Sequence, residues 1–181
     1  MKKFIIICIC FIIAACDANS IQEPLIKSPV ETAMPYLGYT ERTHRAELKE
    51  LTGVDPVRTE WCAAFVNSVL EESGIEGSSS VSDNPLLARS FLDWGVNVDP
   101  KDITAGDIVV FPRGNQGWKG HVGIYFKTLV VDDIEWYYIL GGNQDNKVSV
   151  VLYRASKAIG IRRCWCPDDS AGSLPRWMAK Y

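Results

Sequence analysis

The sequence has few of the residues that metal sites and nucleic-acid interfaces require. It contains only two histidines, His44 and His121, and no cysteine–histidine grouping with the spacing of a zinc site. It has 19 basic and 22 acidic residues, a formal net charge of −3, and no run of lysine and arginine that would attract nucleic acid. We therefore expect no metal, no cofactor and no nucleic-acid partner. His44 lies among charged residues and is interpreted as a solvated surface histidine, which leaves His121 for chemistry.

The sequence also lacks an apolar run long enough to cross a membrane as a helix. Its N-terminal run, residues 4–13, has the length of a signal-peptide core and follows Lys2 and Lys3. The run ends in Ile-Ala-Ala before Cys16, which resembles the lipobox of bacterial lipoproteins. This resemblance implies cleavage before Cys16 and lipidation of that residue. The alternative is a simple secretory signal followed by an incidental cysteine.

These features predict a location at the periplasmic face of a bacterial membrane, with a lipid anchor at Cys16. Asp17 directly after the cysteine resembles the residue that retains lipoproteins in the inner membrane of enteric bacteria. We therefore favour the inner membrane. If the lipobox is not used, the protein is secreted.

The length of 181 residues fits one domain with its own hydrophobic core. Residues 1–15 are interpreted as the signal peptide, and residues 16–32, which include two prolines and show no periodicity, as a tether. The domain then covers residues 33–163, and residues 164–181 form a tail of unknown role. The tail begins with Cys164-Trp165-Cys166, which is either a local disulfide or a pair of free thiols.

The order of predicted elements indicates the fold class. Helices are predicted over Pro35–Tyr39, Arg42–Leu51, about residues 60–73, and Pro85–Trp94. Strands with a period of two are predicted over Asp107–Phe111, His121–Lys127, Glu135–Leu140, Val148–Tyr153 and Ile159–Arg163. Helices followed by strands predict an α+β domain in which the helices pack on an antiparallel sheet of about five strands.

Cys62 lies at the start of the third predicted helix. Thr59 is the predicted N-cap, and Gly74 ends the helix. A cysteine in a first turn meets the positive end of the helix dipole, which favours the nucleophilic thiolate. The alternative is that Cys62 is a small buried hydrophobic residue among Ala, Phe and Val.

His121 opens a predicted strand that returns through a turn around Asp132-Asp133. If the hairpin is centred near residue 132, His121 lies opposite Asn143, whose amide could orient the imidazole. A shift of one residue would bring Gly142 or Gln144 to that position instead. The alternative for His121 is a strand-end histidine that bonds only to the backbone.

Four short segments follow one another in an order that resembles a known family. They are Trp61–Val66, Gly106–Phe111, Gly120–Gly123 and Leu140–Gln144. The set resembles the papain-like cell-wall hydrolases of the CHAP and NlpC type, especially the subgroup with a Trp-Cys nucleophile and a Gly-Gly-Asn-Gln segment. The resemblance implies a papain-like α+β fold and hydrolysis of peptidoglycan amides. It implies Cys62 as nucleophile, His121 as base and Asn143 as orienting residue.

From these observations we expect a membrane-anchored, monomeric cysteine peptidase or amidase. Its partners would be peptidoglycan stem peptides, cleaved through an acyl-enzyme intermediate. The first alternative is a catalytically silent lipoprotein that binds cell-wall peptides or a partner in the same cleft. The second is an amidase or transpeptidase that acts on a substrate other than the wall.

Overall fold

The computed structural model describes residues 27–164, which form a six-stranded antiparallel sheet with α-helices packed against one face. The α-helices are α1 (Pro29–Ala33), α2 (Arg45–Thr52) and α3 (Cys62–Glu72). Short 3-10 helices cover Met34–Tyr36, Ser78–Ser80, Ala88–Leu92, Pro100–Asp102 and Ala155–Lys157. The predicted α+β class with an antiparallel sheet is confirmed.

The strands follow the predicted pattern closely. They are β1 (Val96–Asn97), β2 (Ile108–Pro112), β3 (Gly120–Val131), β4 (Ile134–Gly141), β5 (Ser149–Arg154) and β6 (Gly160–Arg163), in the sheet order β1-β6-β2-β3-β4-β5. Five of the six were predicted, and β1 was missed because two residues carry too little periodicity to detect. β3 is longer than predicted because it continues to the tight turn at Asp132 and Asp133, where both residues have positive φ.

The sheet has a different hydrophobic core on each face, as strand alternation requires. On one face the largest core packs α3 against Val110, Val122 and Ile124. On the other face a smaller core includes Phe111 and Tyr137. Because His121 and Val122 are successive residues of β3, their side chains point to opposite faces, and His121 stands on the side of the smaller core.

The domain begins earlier than the sequence indicated. The predicted tether over residues 16–32 overlaps α1, whose Val30 and Ala33 are buried in the core beside α3. The tether prediction is therefore wrong from about residue 28. The signal peptide, Cys16 and most of the predicted tail lie outside the described residues. Within residues 27–164, no helix combines the length and the apolar character that spanning a membrane requires.

Three predicted helices differ from the structure. The helix predicted over Pro35–Tyr39 is replaced by the 3-10 helix Met34–Tyr36. In place of a helix over Pro85–Trp94 there is only the 3-10 helix Ala88–Leu92. Tertiary contacts hold this segment: the Leu92 carbonyl accepts from the guanidinium of Arg162, and Trp94 Nε1 donates to the Glu76 carbonyl at 2.8 Å. The helix predicted from Arg42 begins at Arg45, preceded by a turn over residues 40–43.

His44 is the N-cap of α2 and is half-buried, because its ring stacks on Tyr39 with a centroid separation of 4.1 Å. Its ring nitrogen Nδ1 lies 2.9 Å from the Thr43 hydroxyl. His44 is therefore a surface histidine, as predicted, and Tyr39 partly shields its ring from solvent.

The buried carboxylate of Asp107 links β2 to β6 at one end of the sheet. Arg163 donates to both of its oxygens at 2.8 Å, and the Thr104 amide donates to Oδ2 at the same distance. In the Gly106–Phe111 segment, one of the four that resemble the cell-wall hydrolases, Asp107 therefore stabilises the fold. Asp107 takes no part in the site described below.

Candidate active site

Cys62 is the first residue of α3, with Trp61 as its N-cap. Trp61 and Phe65 are fully buried, and both pack directly against Gly142 in the loop after β4. A Cβ atom added to Gly142 would lie 2.5 Å from Trp61 and 2.7 Å from Phe65. The predicted cap at Thr59 is wrong, since the N-cap is Trp61.

The thiol of Cys62 lies beside β3 at the point where β4 has ended. The last residue pair between these strands is Ile124 with Leu140, and β4 stops at Gly141. Beyond it, the backbone N–H of Val122 hydrogen-bonds the thiol, as does that of Ala63. Because Val122 follows His121 directly, the thiol lies against β3 one residue from the histidine.

Cys62 is only 3% exposed, and burial raises the pKa of its thiol. The two backbone N–H groups and the charge of Arg113 oppose this rise but do not cancel it. The resting site therefore holds a neutral thiol at neutral pH. The position in the first turn favours the thiolate, as the sequence predicts, and the burial of Cys62 acts against it.

His121 is held in an aromatic setting on the other face of the sheet. Its ring stacks on Tyr153 at 5.4 Å between centroids, and Tyr153 stacks on Phe111 at 4.5 Å. The imidazole is 4% exposed, and burial lowers the pKa of His121 to about 4. The imidazole is therefore neutral and able to accept a proton.

Gln144 makes the side-chain hydrogen bond that orients this ring, with its Oε1 3.2 Å from His121 Nε2. The Nε2 group of Gln144 donates to backbone carbonyls of Ile139, Gly141 and Ser149, so Oε1 is the atom turned toward His121. An oxygen can only accept, and His121 Nε2 must therefore carry the proton. The other ring nitrogen, Nδ1, is left as the basic atom.

Asn143 does not orient His121. Its backbone has φ of 55°, and its Nδ2 donates at 2.6 Å to Oε2 of Glu60, two residues before the nucleophile candidate. The prediction that the Asn143 side chain would hydrogen-bond His121 is wrong, because Asn143 bonds to Glu60 instead. The residue that occupies that place is its neighbour Gln144, one of the two residues that a register shift would have selected.

The sequence reasoning missed Glu60 and Arg113. Arg113 follows β2 and donates from Nη1 to Glu60 Oε2 at 2.9 Å, so one carboxylate oxygen accepts from both Arg113 and Asn143. The positive charge of Arg113 lowers the pKa of both Cys62 and His121, and the negative charge of Glu60 raises the pKa of both. Their only sequence signal was their place beside recognisable segments, directly before Trp61-Cys62 and at the end of β2.

A cavity of about 380 Å³ opens onto Cys62. Its lining combines apolar and charged groups, among them Leu86, Arg113, Trp118 and Lys119. Trp118 is 59% exposed and stands at the rim. The thiol is therefore reachable from a cavity that also presents charged side chains.

Within the described residues His121 and Gln144 are in side-chain contact at one end of β3, and Cys62 lies against Val122, the residue that follows His121. Within residues 27–164 no three His, Cys, Asp or Glu side chains are grouped as a metal site would require. Comparison of the chain with protein-family models gave no match, and comparison with curated proteins gave none either. The chemistry of the site must therefore be argued from its own geometry.

Proposed function

We propose that this protein is a papain-like cysteine hydrolase that cleaves peptide amides of peptidoglycan. The observation that carries this proposal is the hydrogen bond between His121 Nε2 and Gln144 Oε1, beside a cysteine at a helix N-terminus. A buried histidine with one nitrogen fixed and the other left basic is the arrangement that nucleophilic thiol catalysis needs. The four family-like segments supply the substrate class.

In the proposed mechanism His121 Nδ1 takes the proton of the Cys62 thiol as the sulfur attacks the amide carbonyl. The oxyanion is stabilised by the backbone N–H of Cys62, a first-turn donor that needs no partner within the helix. The imidazolium then protonates the leaving amine as the C–N bond breaks. A water molecule gives its proton to His121, attacks the thioester, and releases the carboxylic acid and the thiol.

The proposed mechanism starts from a neutral Cys62 thiol and a neutral His121 imidazole, which are the states that burial favours. Attack from a neutral thiol requires a base that is itself unprotonated, and the low pKa of His121 keeps it so across the physiological range. Gln144 has a proton acceptor fixed against Nε2 and so keeps Nδ1 free throughout the cycle.

The second candidate is a catalytically silent protein that binds cell-wall peptides in the same cavity. The observation in its favour is the burial of Cys62, which raises the thiol pKa and makes spontaneous nucleophilic attack slow. Both candidates share the cavity and the substrate class. They differ in whether the thiol forms a bond.

The test is mass spectrometry of purified muropeptides after incubation with the protein. Wild type should release new products whose masses identify the bond, and Cys62→Ala should release none. Cys164→Ala is the matched control, since Cys164 is also buried and does not line the cavity. Muropeptides that remain intact with wild type but bind to it would favour the silent binding protein. Equal products from wild type and Cys62→Ala would refute both candidates.

A further inference from the structure

The cavity at Cys62 has a charge opposite to that of the whole chain. Its lining contains two cationic side chains, Arg113 and Lys119, and one anionic side chain, Glu60. The formal charge of the lining is therefore +1, whereas that of the chain is −3. The positive local charge favours binding of a ligand that carries an anionic group.

Arg113 is placed to use that charge. Within the described residues its side chain hydrogen-bonds only through Nη1, to Glu60, so its Nε and Nη2 donors make no bond to another described residue. A guanidinium with two donors available matches the two oxygens of a carboxylate. The ion pair with Glu60 is itself solvent-exposed, with side chains 47% and 76% accessible, and adds little stability that a ligand would have to overcome.

The guanidinium also has a defined partner before any ligand arrives. Glu60 Oε2 accepts from Asn143 as well as from Arg113, and Asn143 is buried in the loop that follows β4. Two separate segments of the chain therefore donate to one carboxylate oxygen of a third. This contact limits the orientations of Arg113, which lines the same cavity as Cys62, and reduces the entropy that binding would otherwise cost.

We propose that Arg113 is a specificity-determining residue that binds a carboxylate of the peptide substrate close to the scissile amide. The inference rests on the proposed hydrolase function and refines its substrate to peptides with a free carboxylate near the cleaved bond. Peptides in which that carboxylate is a primary amide would be poor substrates, because the amide offers one oxygen acceptor and no charge. Asn143 and Glu60 are positioning residues in this arrangement.

The experiment uses a set of muropeptides in which the carboxylates are converted to primary amides one at a time. For wild type, one conversion should lower kcat/KM by roughly tenfold to a hundredfold, the range expected for a charge-assisted hydrogen bond. Arg113→Ala should cleave the free and amidated forms of that peptide at similar rates. Arg58→Ala is the matched control, since this exposed arginine pairs with Asp55 outside the cavity and should keep the preference.

A binding experiment separates the proposed hydrolase function from the proposed role of Arg113. Binding of the peptides to Cys62→Ala is monitored by tryptophan fluorescence, with Trp118→Phe as control. Binding that favours the free carboxylate and loses this preference in the double variant with Arg113→Ala, without cleavage by wild type, would support the role of Arg113 and refute the hydrolase. Cleavage by wild type without any carboxylate preference would refute the role of Arg113 alone. A preference that survives Arg113→Ala would also refute it. Neither binding nor cleavage would refute both.

Discussion

Gln144 should matter more for turnover than Asn143, although the sequence pattern selected Asn143. Replacing Gln144 by Ala removes the acceptor for His121 Nε2 and leaves a buried N–H group unpaired. Such a loss costs about 1–3 kcal/mol, which corresponds to roughly a 5- to 150-fold decrease in kcat/KM if the ring orientation is lost in the transition state. The assay is muropeptide cleavage, with thermal unfolding measured beside it, because Gln144 also binds three carbonyls.

The matched control is Asn143→Gly. Glycine adopts the φ of 55° at this position without strain, so the substitution removes the hydrogen bond to Glu60 without disturbing the backbone. A single bond to an exposed carboxylate is worth less than about 1 kcal/mol, and kcat/KM should fall by less than about fivefold.

The pH dependence of kcat/KM in Gln144→Glu tests whether Gln144 acts on His121, because a purely structural role of Gln144 would not shift this dependence. A carboxylate facing Nε2 would stabilise the imidazolium and raise the pKa of His121 above its value of about 4. Since catalysis needs neutral His121 in the free enzyme, the acidic limb of the kcat/KM profile should move to higher pH. Gln144→Ala should not move it upward. An acidic limb that stays in place with Gln144→Glu, together with a larger loss for Asn143→Gly than for Gln144→Ala, would refute the assignment.

Two further predictions concern stability. His121 has a folded pKa of about 4 and an ordinary value of 6.5, so between about pH 4 and pH 6.5 the unfolded chain binds this proton and the folded chain does not. Wild type should therefore lose about 2 kcal/mol between pH 7 and 5 relative to His121→Gln in urea unfolding, and an equal pH dependence of the two proteins would refute the low pKa. Gly142→Ala should cost about 1–3 kcal/mol by overpacking against Trp61, measured by the same unfolding assay, whereas unchanged stability would contradict that contact.

The sheet was predictable because its strands combine alternation with clear turns. The hairpin was placed by pairing positions that sum to about 264, and Ile124 with Leu140 and Tyr125 with Ile139 pair in this way. Nearer the turn the sum becomes 265, because the register shifts by one residue between Tyr125 and Lys127. The predicted register is therefore confirmed where β4 approaches the site.

The same reasoning failed at Asn143 because it was carried past the end of the strand. β4 stops at Gly141, and the positive φ of Asn143 turns the chain away from the ladder. Beyond a strand end, the alternation of side chains no longer applies. The chain turns so that Gln144 faces His121, and no local sequence pattern specifies a turn of this kind.

Glu60 and Arg113 were not predictable for a different reason. Their ion pair joins residues 53 positions apart, and neither lies in a periodic element that would fix its direction. Isolated charged residues in loops are ordinarily solvated. The two residues meet only in the folded chain, where the end of β2 lies beside the start of α3.

The neutral pair at the centre of the site changes how the two candidate functions can be separated. A general alkylating reagent at neutral pH reacts with thiolate, so a buried Cys62 with a raised pKa would react slowly in an active hydrolase and in a silent binding protein alike. The difference between the two lies in proton transfer to His121, which needs a carbonyl held against the sulfur. Only a peptide-shaped electrophile that fills the cavity provides that geometry. Selective modification of Cys62 by such a reagent, lost in Gln144→Ala, would support the hydrolase, whereas equal inertness toward peptide-shaped and general reagents would support the binding protein.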